Sequence, residues 1–253
     1  MRDFVGKKVL VTGASRGIGR AIAIAFAGRG GTVAVNFRGN EKAASETLND
    51  LDGAGHVLIQ ADVSVPDRAK SAVGESVSRL GGLDIVVNNA GIFEEHQLDS
   101  VDFDEWQSAW RQTIDVNLIG PANICYFAAQ HMMTSGGGRI VNVSSRAAFR
   151  GEPTGPAYAA SKAGLNALSQ SLAIALAPHN IFIGVVAPGF VDTEMAAYVL
   201  SKPEGDAIRA QSPLGRVARP EEVANAVVFL ASEGAEFTTG TIIDVNGASY
   251  LRS

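Results

Sequence analysis

Val9-Leu10-Val11-Thr12-Gly13-Ala14-Ser15-Arg16-Gly17-Ile18-Gly19-Arg20-Ala21-Ile22-Ala23-Ile24-Ala25-Phe26 reads as a short apolar strand, a glycine-rich turn and the opening of a helix. Glycines let the backbone turn tightly and approach a ligand closely, and a helix N-terminus offers unpaired N–H groups at the positive end of its dipole. A dinucleotide pyrophosphate suits such a turn. The spacing is Gly-x-x-x-Gly-x-Gly rather than Gly-x-Gly-x-x-Gly, and glycines before a helix are often only a turn. The strand before it, the helix after it and its place at the head of a βαβ series favour the ligand reading.

The same alternation continues to the end of the chain. Apolar runs recur at Val33-Ala34-Val35, Val57-Leu58-Ile59, Ile85-Val86-Val87, Ile140-Val141-Asn142-Val143, Ile181-Phe182-Ile183-Gly184-Val185-Val186 and Ile242-Ile243-Asp244-Val245. Near-continuous apolarity marks strands covered on both faces. Between them lie helical patterns: Leu165, Leu168, Leu172 and Leu176 share a face, and Arg219-Pro220-Glu221-Glu222 opens another helix. The fold class is α/β: a single doubly wound Rossmann-type domain over residues 1–253, with a parallel sheet of about seven strands and helices on both faces. The uncharged stretch Ala163–Val191 is interrupted by Asn166, Gln170, Pro178, His179 and Asn180, so it reads as helix, turn and strand rather than a bilayer span.

A net charge of −5 disfavours nucleic acid or an anionic membrane as partner, because both reward a basic surface. The only cysteine, Cys125, cannot form an internal disulfide, and the first eight residues carry no apolar run of the kind a secretory signal needs. A cytoplasmic location is expected. No metal site is expected: His56, His96, His131 and His179 lack ligand spacing. Trp106 and Trp110 share a helix face in Phe103–Arg111 and read as packing residues. Asn142-Val143-Ser144 matches a glycosylation sequon but ends a buried strand.

The second strand bears on which dinucleotide is bound. NAD sites usually end this strand with an acid for the ribose hydroxyls. Here it ends Asn36-Phe37-Arg38, and the first carboxylate is Glu41. Arg38 and Arg16 suit a 2′-phosphate, to which guanidinium gives planar, charge-assisted donors. Two solvated arginines are the bland alternative; absence of the acid favours NADP(H) over NAD(H).

Tyr158 and Lys162 stand one helical turn apart on one face. Ser144 and Ser145 end the fifth apolar run, at the carboxyl edge where open α/β sheets hold ligands. A free phenol, with its pKa near 10, is a poor acid–base group at neutrality. A neighbouring ammonium and a cationic nicotinamide are expected to favour phenolate and draw it down.

Taken in order, Thr12-Gly13-x-x-x-Gly17-x-Gly19, Asn88-Asn89-Ala90-Gly91, Asn117, Ser145, Tyr158-x-x-x-Lys162 and Pro188-Gly189-x-x-x-Thr193 resemble the motif set of the short-chain dehydrogenase/reductase family, from about Val5 to Val245. The resemblance implies hydride transfer between a nicotinamide and a carbonyl or alcohol. It implies Tyr158 as proton donor, Ser145 orienting the substrate oxygen (with Ser144 as understudy) and Lys162 holding the ribose and lowering the tyrosine. Asn117 would support a water-linked relay to Lys162. Gly13, Ser15, Arg16, Gly17, Ile18, Gly19, Asn36 and Arg38 would meet the phosphates and adenosine ribose, and Asp62 and Val63 the adenine. Asn89, Ala90 and Gly91 would line the cofactor, with Pro188, Gly189, Val191 and Thr193 on the carboxamide side.

Within the family the chain is similar to 3-oxoacyl-thioester reductases, including Leu214-Gly215-Arg216 before Pro220-Glu221-Glu222-Val223-Ala224. Reductases of acyl carrier protein tend to carry basic residues where this chain has Met132–Gly138 and Ala177–Asn180, which contain no Lys or Arg. An acidic carrier is therefore a poor partner for this net-negative surface. A CoA thioester, a free ketone or an alcohol stays open, as does a sugar or small-alcohol dehydrogenase. A non-catalytic NADP-sensing protein on this fold is the reading from another class; Tyr158→Phe discriminates it. Residues 192–212, with Pro203, Gly205, Met195, Tyr198, Val199 and Leu200, read as a mobile substrate lid. Asn246-Gly247-Ala248 replaces the family's common Asp-Gly-Gly, and the resemblance implies a homo-oligomer, a tetramer or a dimer.

Overall fold

Seven strands form the sheet: β1 (Lys8–Val11), β2 (Thr32–Phe37), β3 (Val57–Gln60), β4 (Ile85–Asn88), β5 (Gly138–Val143), β6 (Ile181–Pro188) and β7 (Ile242–Val245). The computed structural model describes residues 2–252, the side chain of Tyr198 excepted. The strand order is β3-β2-β1-β4-β5-β6-β7, and every neighbouring pair is parallel. The order reverses between β1 and β4, which opens a crevice at their carboxyl ends.

Ten α-helices cover it: α1 (Gly17–Gly28), α2 (Glu41–Asn49), α3 (Pro66–Leu80), α4 (Phe103–Ile114), α5 (Gly120–Ser135), α6 (Ala147–Arg150), α7 (Pro156–Leu176), α8 (Glu194–Leu200), α9 (Glu204–Ala210) and α10 (Pro220–Ala231). Period-two alternation in the strands divides the core. Val9, Val11, Val33 and Val35 pack with Ile22 and Phe26 of α1 and Val223 and Val227 of α10. Leu10, Ala34, Val86, Ile140 and Ile183 face the other way, onto Val73 of α3 and Ile124, Ala128 and Met132 of α5. Each fully buried Val, Leu, Ile, Phe or Met among them contributes about 1.5–3 kcal/mol of transfer free energy.

Local signals set the helix ends. Asp102 accepts from the Glu105 N–H (2.9 Å) and the Glu105 carboxylate accepts from the Asp102 N–H (3.2 Å), a reciprocal cap that starts α4. Pro66, Pro156 and Pro220 stand first in α3, α7 and α10. The expected helix Phe103–Arg111 runs three residues further, and a π turn, Asp115–Ile119, joins it to α5. Hydrophobic spacing does not reveal that turn, because one inserted residue only rotates the apolar face.

The uncharged stretch 163–191 divides into the body of α7, a 3₁₀ turn at Ala177–His179 and β6. No helix among the described residues is long and apolar enough to cross a membrane. Segment 192–212 carries α8 and α9 and is pinned at its neck, where Val191 bridges Ala218 and the Asp192 N–H donates to the Ala218 carbonyl (2.8 Å).

Candidate active site

The glycine turn is built by residues outside it. The Gly13 N–H donates to Asn36 Oδ1 (3.3 Å), and Asn36 Nδ2 donates to the carbonyls of Ile59 (3.1 Å) and Ala61 (3.2 Å). Buried and fully engaged, Asn36 braces the turn, so its expected contact with a ligand is replaced by a supporting one. Asn89 does the same from just past β4: its Nδ2 donates to the carbonyls of Thr12 (3.0 Å) and Gly13 (3.1 Å). The Thr12 hydroxyl accepts from the N–H groups of Asn89 and Ala90, each at 3.0 Å. Gly13 holds φ +62°, and a Cβ on Gly19 would lie 2.3 Å from the Gly13 carbonyl oxygen, so neither position admits a side chain without rearrangement.

The N–H groups of Gly17, Ile18 and Gly19 find no acceptor among the described residues, and α1 has neither a side-chain cap nor an acid in its first turn. A buried-in-part helix end of this kind is suited to an anion. Thr193 closes over it, with Cγ2 3.3 Å from where a Gly17 Cβ would lie. Ser15 is committed by its carbonyl to Thr47 (3.1 Å). Arg16 and Arg38 both stand exposed at this mouth; Arg16 reaches Glu194 of α8 at 3.0 Å, and Arg38 lies 4.0 Å from Asp62. Asp62 also accepts from the Ser64 N–H (3.0 Å) and hydroxyl (2.6 Å), while Val63 is buried beside Gly120.

Across the crevice, β5 ends at the two serines and α7 begins. Ser144 is buried with its hydroxyl on the Lys162 carbonyl (3.3 Å), whereas the Ser145 hydroxyl accepts from the Ala147 N–H (3.1 Å) and is the serine that bears on the Tyr158 phenol, drawing its pKa down. The place beside the tyrosine is therefore Ser145's and not Ser144's. Lys162 Nζ donates to the Val143 carbonyl (2.9 Å) and lies 5.8 Å from the centre of the Tyr158 ring. Asn117 sits on the π turn, fully buried; its Oδ1 accepts from the Ile92 N–H (2.8 Å) and its Nδ2 donates to the Ile92 carbonyl (2.9 Å) and the Ser161 hydroxyl (3.2 Å). Its amide is thus spent as a clamp on the wall beside Gly91, where Lys162 Nζ also converges.

Burial dominates the electrostatics of this pair. Burial pushes the Tyr158 phenol up, the Ser145 hydrogen bond pulls it down, and the Glu152 carboxylate pushes it up again. Burial also lowers the Lys162 ammonium to about 8. In the protein without cofactor, then, burial outweighs the pull of Ser145 on the phenol.

Pro188 and Gly189 end β6, with the Gly189 N–H on the Val245 carbonyl (3.0 Å), and Val191 leads from there to Thr193. The glycine cradle, the two arginines and the Ser145–Tyr158–Lys162 group therefore face one crevice at the sheet's carboxyl edge. The family model described as enoyl-(acyl carrier protein) reductase matches residues 13–248. A Staphylococcus aureus protein named 3-oxoacyl-[acyl-carrier-protein] reductase FabG is 39% identical over 247 residues, 97% of this chain and 98% of its own. The chain belongs to the short-chain dehydrogenase/reductase family. Two solved structures agree. A dehydrogenase/reductase from Sinorhizobium meliloti 1021 superposes with TM-score 0.90 at 32% identity, covering 99% of this chain and 97% of its own. A short chain dehydrogenase from Burkholderia cenocepacia J2315, in complex with NADP, gives 0.88 at 34%, covering 98% and 99%. As a short-chain dehydrogenase/reductase the protein is an oxidoreductase.

Two residues around this short-chain dehydrogenase/reductase site were not singled out by the sequence. Arg146, next to Ser145, is 6% exposed, donates to Ser249 Oγ (2.7 Å) and Gln211 Oε1 (2.6 Å), and stacks on Phe190 with Cζ 5.1 Å from the ring centre. It lines a cavity of about 270 Å³ with Phe190, Ser212 and Asn246. A lone charge in Ser144-Ser145-Arg146-Ala147-Ala148 was the available signal. His96 is 1% exposed and had no signal at all.

Proposed function

We propose that this chain is an NADPH-dependent carbonyl reductase acting on a 3-oxoacyl thioester or a similar ketone, with alcohol oxidation as the reverse. The observation that carries the reading is the convergence of Ser145, Tyr158 and Lys162 where β5 ends and α7 begins, with Lys162 Nζ 5.8 Å from the Tyr158 ring centre, opposite the unpaired N–H groups of α1. The residues fit the cofactor: Ser15, Gly17, Ile18 and Gly19 leave backbone donors for a pyrophosphate, Gly13, Gly17 and Gly19 add no side-chain bulk, and Arg16 and Arg38 are the cations within reach of a 2′-phosphate. Asp62 and Val63 would border the adenine, Ala90 and Gly91 the middle of the crevice, and Pro188, Gly189, Val191 and Thr193 the carboxamide. When bound, the dihydronicotinamide supplies the hydride that the carbonyl carbon accepts.

Tyr158 gives the substrate oxygen its proton, and Ser145 donates a hydrogen bond that polarises the same oxygen. Lys162 holds the cofactor's ribose hydroxyls. Its ammonium, with a bound cationic nicotinamide, would supply the downward pull on the phenol that the protein without cofactor lacks. Asn117 keeps in place the wall along which water returns the proton to Lys162. The name of the Staphylococcus aureus relative supports a 3-oxoacyl substrate. The uncharged 132–138 and 177–180 segments argue against carrier-protein docking and for a CoA thioester or free ketone. Segment 192–212 acts as a lid, with Arg16–Glu194 bridging lid and phosphate site; unchanged hydrogen exchange there on ligand binding would refute this. Exposed Phe103, Tyr126, Phe237 and Leu251 support a homo-oligomer, a tetramer or a dimer, which sedimentation velocity distinguishes from a monomer.

Tyr158→Phe is the decisive variant. It should lower kcat by roughly 10²–10⁴-fold on a panel of 3-oxoacyl-CoA thioesters and ketones while leaving NADPH affinity intact. Undiminished turnover would sink the mechanism. Wild-type activity confined to sugars or simple alcohols would move the protein to a dehydrogenase role.

A further inference from the structure

The helix that carries Tyr158 and Lys162 begins without a cap of its own. Its N-cap residue, Gly155, has no side chain to offer, and no side-chain cap from that position exists. The first-turn donors of α7 are nevertheless all accounted for. Pro156 has no N–H, the Tyr158 N–H donates to the Gly155 carbonyl (2.9 Å), and the Ala157 N–H donates to His96 Nε2 (3.2 Å). Since Nε2 accepts, the proton of the neutral ring lies on Nδ1, which donates to the Glu94 carbonyl (2.9 Å). Both nitrogens of a fully enclosed imidazole are thus used, and the accepted bond lies one residue before Tyr158.

The surrounding contacts show that this is a built joint. The His96 N–H donates to the Thr154 carbonyl (2.9 Å), so the segment after β4 is stitched twice to the start of α7. Phe93 fills the space beside Gly155, where a Cβ would meet its ring at 2.7 Å, and its edge meets the Tyr158 ring at 5.4 Å between centres. Ile92, at the other end of the segment, is held by Asn117. Trp106 of α4 packs edge-on against the imidazole, 5.3 Å between ring centres. A buried N–H without an acceptor is unfavourable, so loss of Nε2 would favour opening of the first turn that fixes Tyr158.

We infer that His96 is a positioning residue for the reaction: its Nε2 caps α7 in place of the absent N-cap side chain and holds the Tyr158 hydroxyl in register with Ser145. This rests on the proposed role of Tyr158. His96→Phe keeps a ring against Trp106 and removes the acceptor; His96→Gln keeps an acceptor, Oε1, at similar reach. The expected result is a fall in kcat of about tenfold or more for the Phe variant, with NADPH affinity and substrate KM within about twofold, and recovery of most of kcat in the Gln variant. A Phe variant with wild-type kcat, even if it melts earlier, would overturn the inference, as would a Gln variant no better than Phe. If the Phe variant does not fold, ¹⁵N NMR of the wild-type imidazole decides. The Nδ1–H tautomer with Nε2 unprotonated is expected, and an Nε2–H tautomer, which cannot accept from Ala157, is fatal. Tyr158→Phe, run in parallel on the same substrate, separates the two readings: an active Tyr158→Phe would mean that the mechanism itself is wrong.

Discussion

Lys162 illustrates at the residue scale how a functional group is held against its own solvation. It is 4% exposed, makes one hydrogen bond to a carbonyl and faces no carboxylate among the described ion pairs. Its ammonium is lowered from 10.5 to about 8 by burial. The folded pKa lies below the unfolded one, so between about 8 and 10.5 the unfolded chain binds a proton that the folded chain does not. Stability from this group therefore rises with pH across that window, and the penalty is full below it. Lys162→Met should abolish turnover yet stabilise the cofactor-free protein at pH 7 by about 2 kcal/mol in urea unfolding. The gain should shrink above pH 8 and vanish towards 10.5. A Met variant less stable than wild type at pH 7 would mean that the bond to Val143 outweighs desolvation. Ala248 shows the opposite economy: a non-glycine residue held at φ +58° where the family commonly has glycine.

At the scale of elements, the starts of α7 and α10 solve the same problem by different means. In α10 the solution is local: Glu222 accepts from the Arg219 N–H (2.7 Å) and from both terminal nitrogens of Arg216 (2.8 and 2.7 Å). The Arg216 guanidinium, then the Arg219 N–H, hold the Glu222 carboxyl down at about 2. A depressed folded pKa gives stability that is present above the unfolded value of 4.5 and lost as pH falls towards 2. Arg216→Gln should lower stability only slightly at pH 6, since the pair is solvated. The difference from wild type should close as pH drops from 4.5 to 2, which acid titration of chemical stability measures. The pattern Arg219-Pro220-Glu221-Glu222 made this start legible in sequence, because cap and helix are contiguous. The start of α7 was not legible: its cap, His96, is 61 positions away in Ala157's hydrogen bond and looks in sequence like any other histidine. The π turn that aims Asn117 at Ile92 was hidden for a similar reason, since its effect is to redirect one side chain without breaking the apolar pattern.

For the whole molecule, the reversal of strand order between β1 and β4 brings the cofactor cradle, the serine edge and α7 to one crevice. If Arg16 and Arg38 bind a 2′-phosphate, NADPH should stabilise the fold more than NADH at equal concentration. At about 100 times its Kd the gain is about 2.7 kcal/mol, a rise in Tm of roughly 5–10 °C for a chain of this size. Arg38→Leu should erase most of the difference in a thermal-shift assay; equal shifts from the two nucleotides in wild type would refute the phosphate reading. The apolar runs and glycine spacing by themselves determined the α/β class, the strand positions, the turn before α1 and the Tyr158–Lys162 pair, because these depend on neighbours within a few residues. The tertiary structure decided what each polar group does there. It turned Asn36 and Asn89 into braces, set Ser145 rather than Ser144 beside the phenol, buried Arg146 between the serine edge and the C-terminal tail, and enclosed Tyr158 so that burial raises its phenol in the protein without cofactor. Hydrogen-bond partners and desolvation are properties of groups brought together across many tens of residues, and no local pattern in the chain encodes which of them will meet.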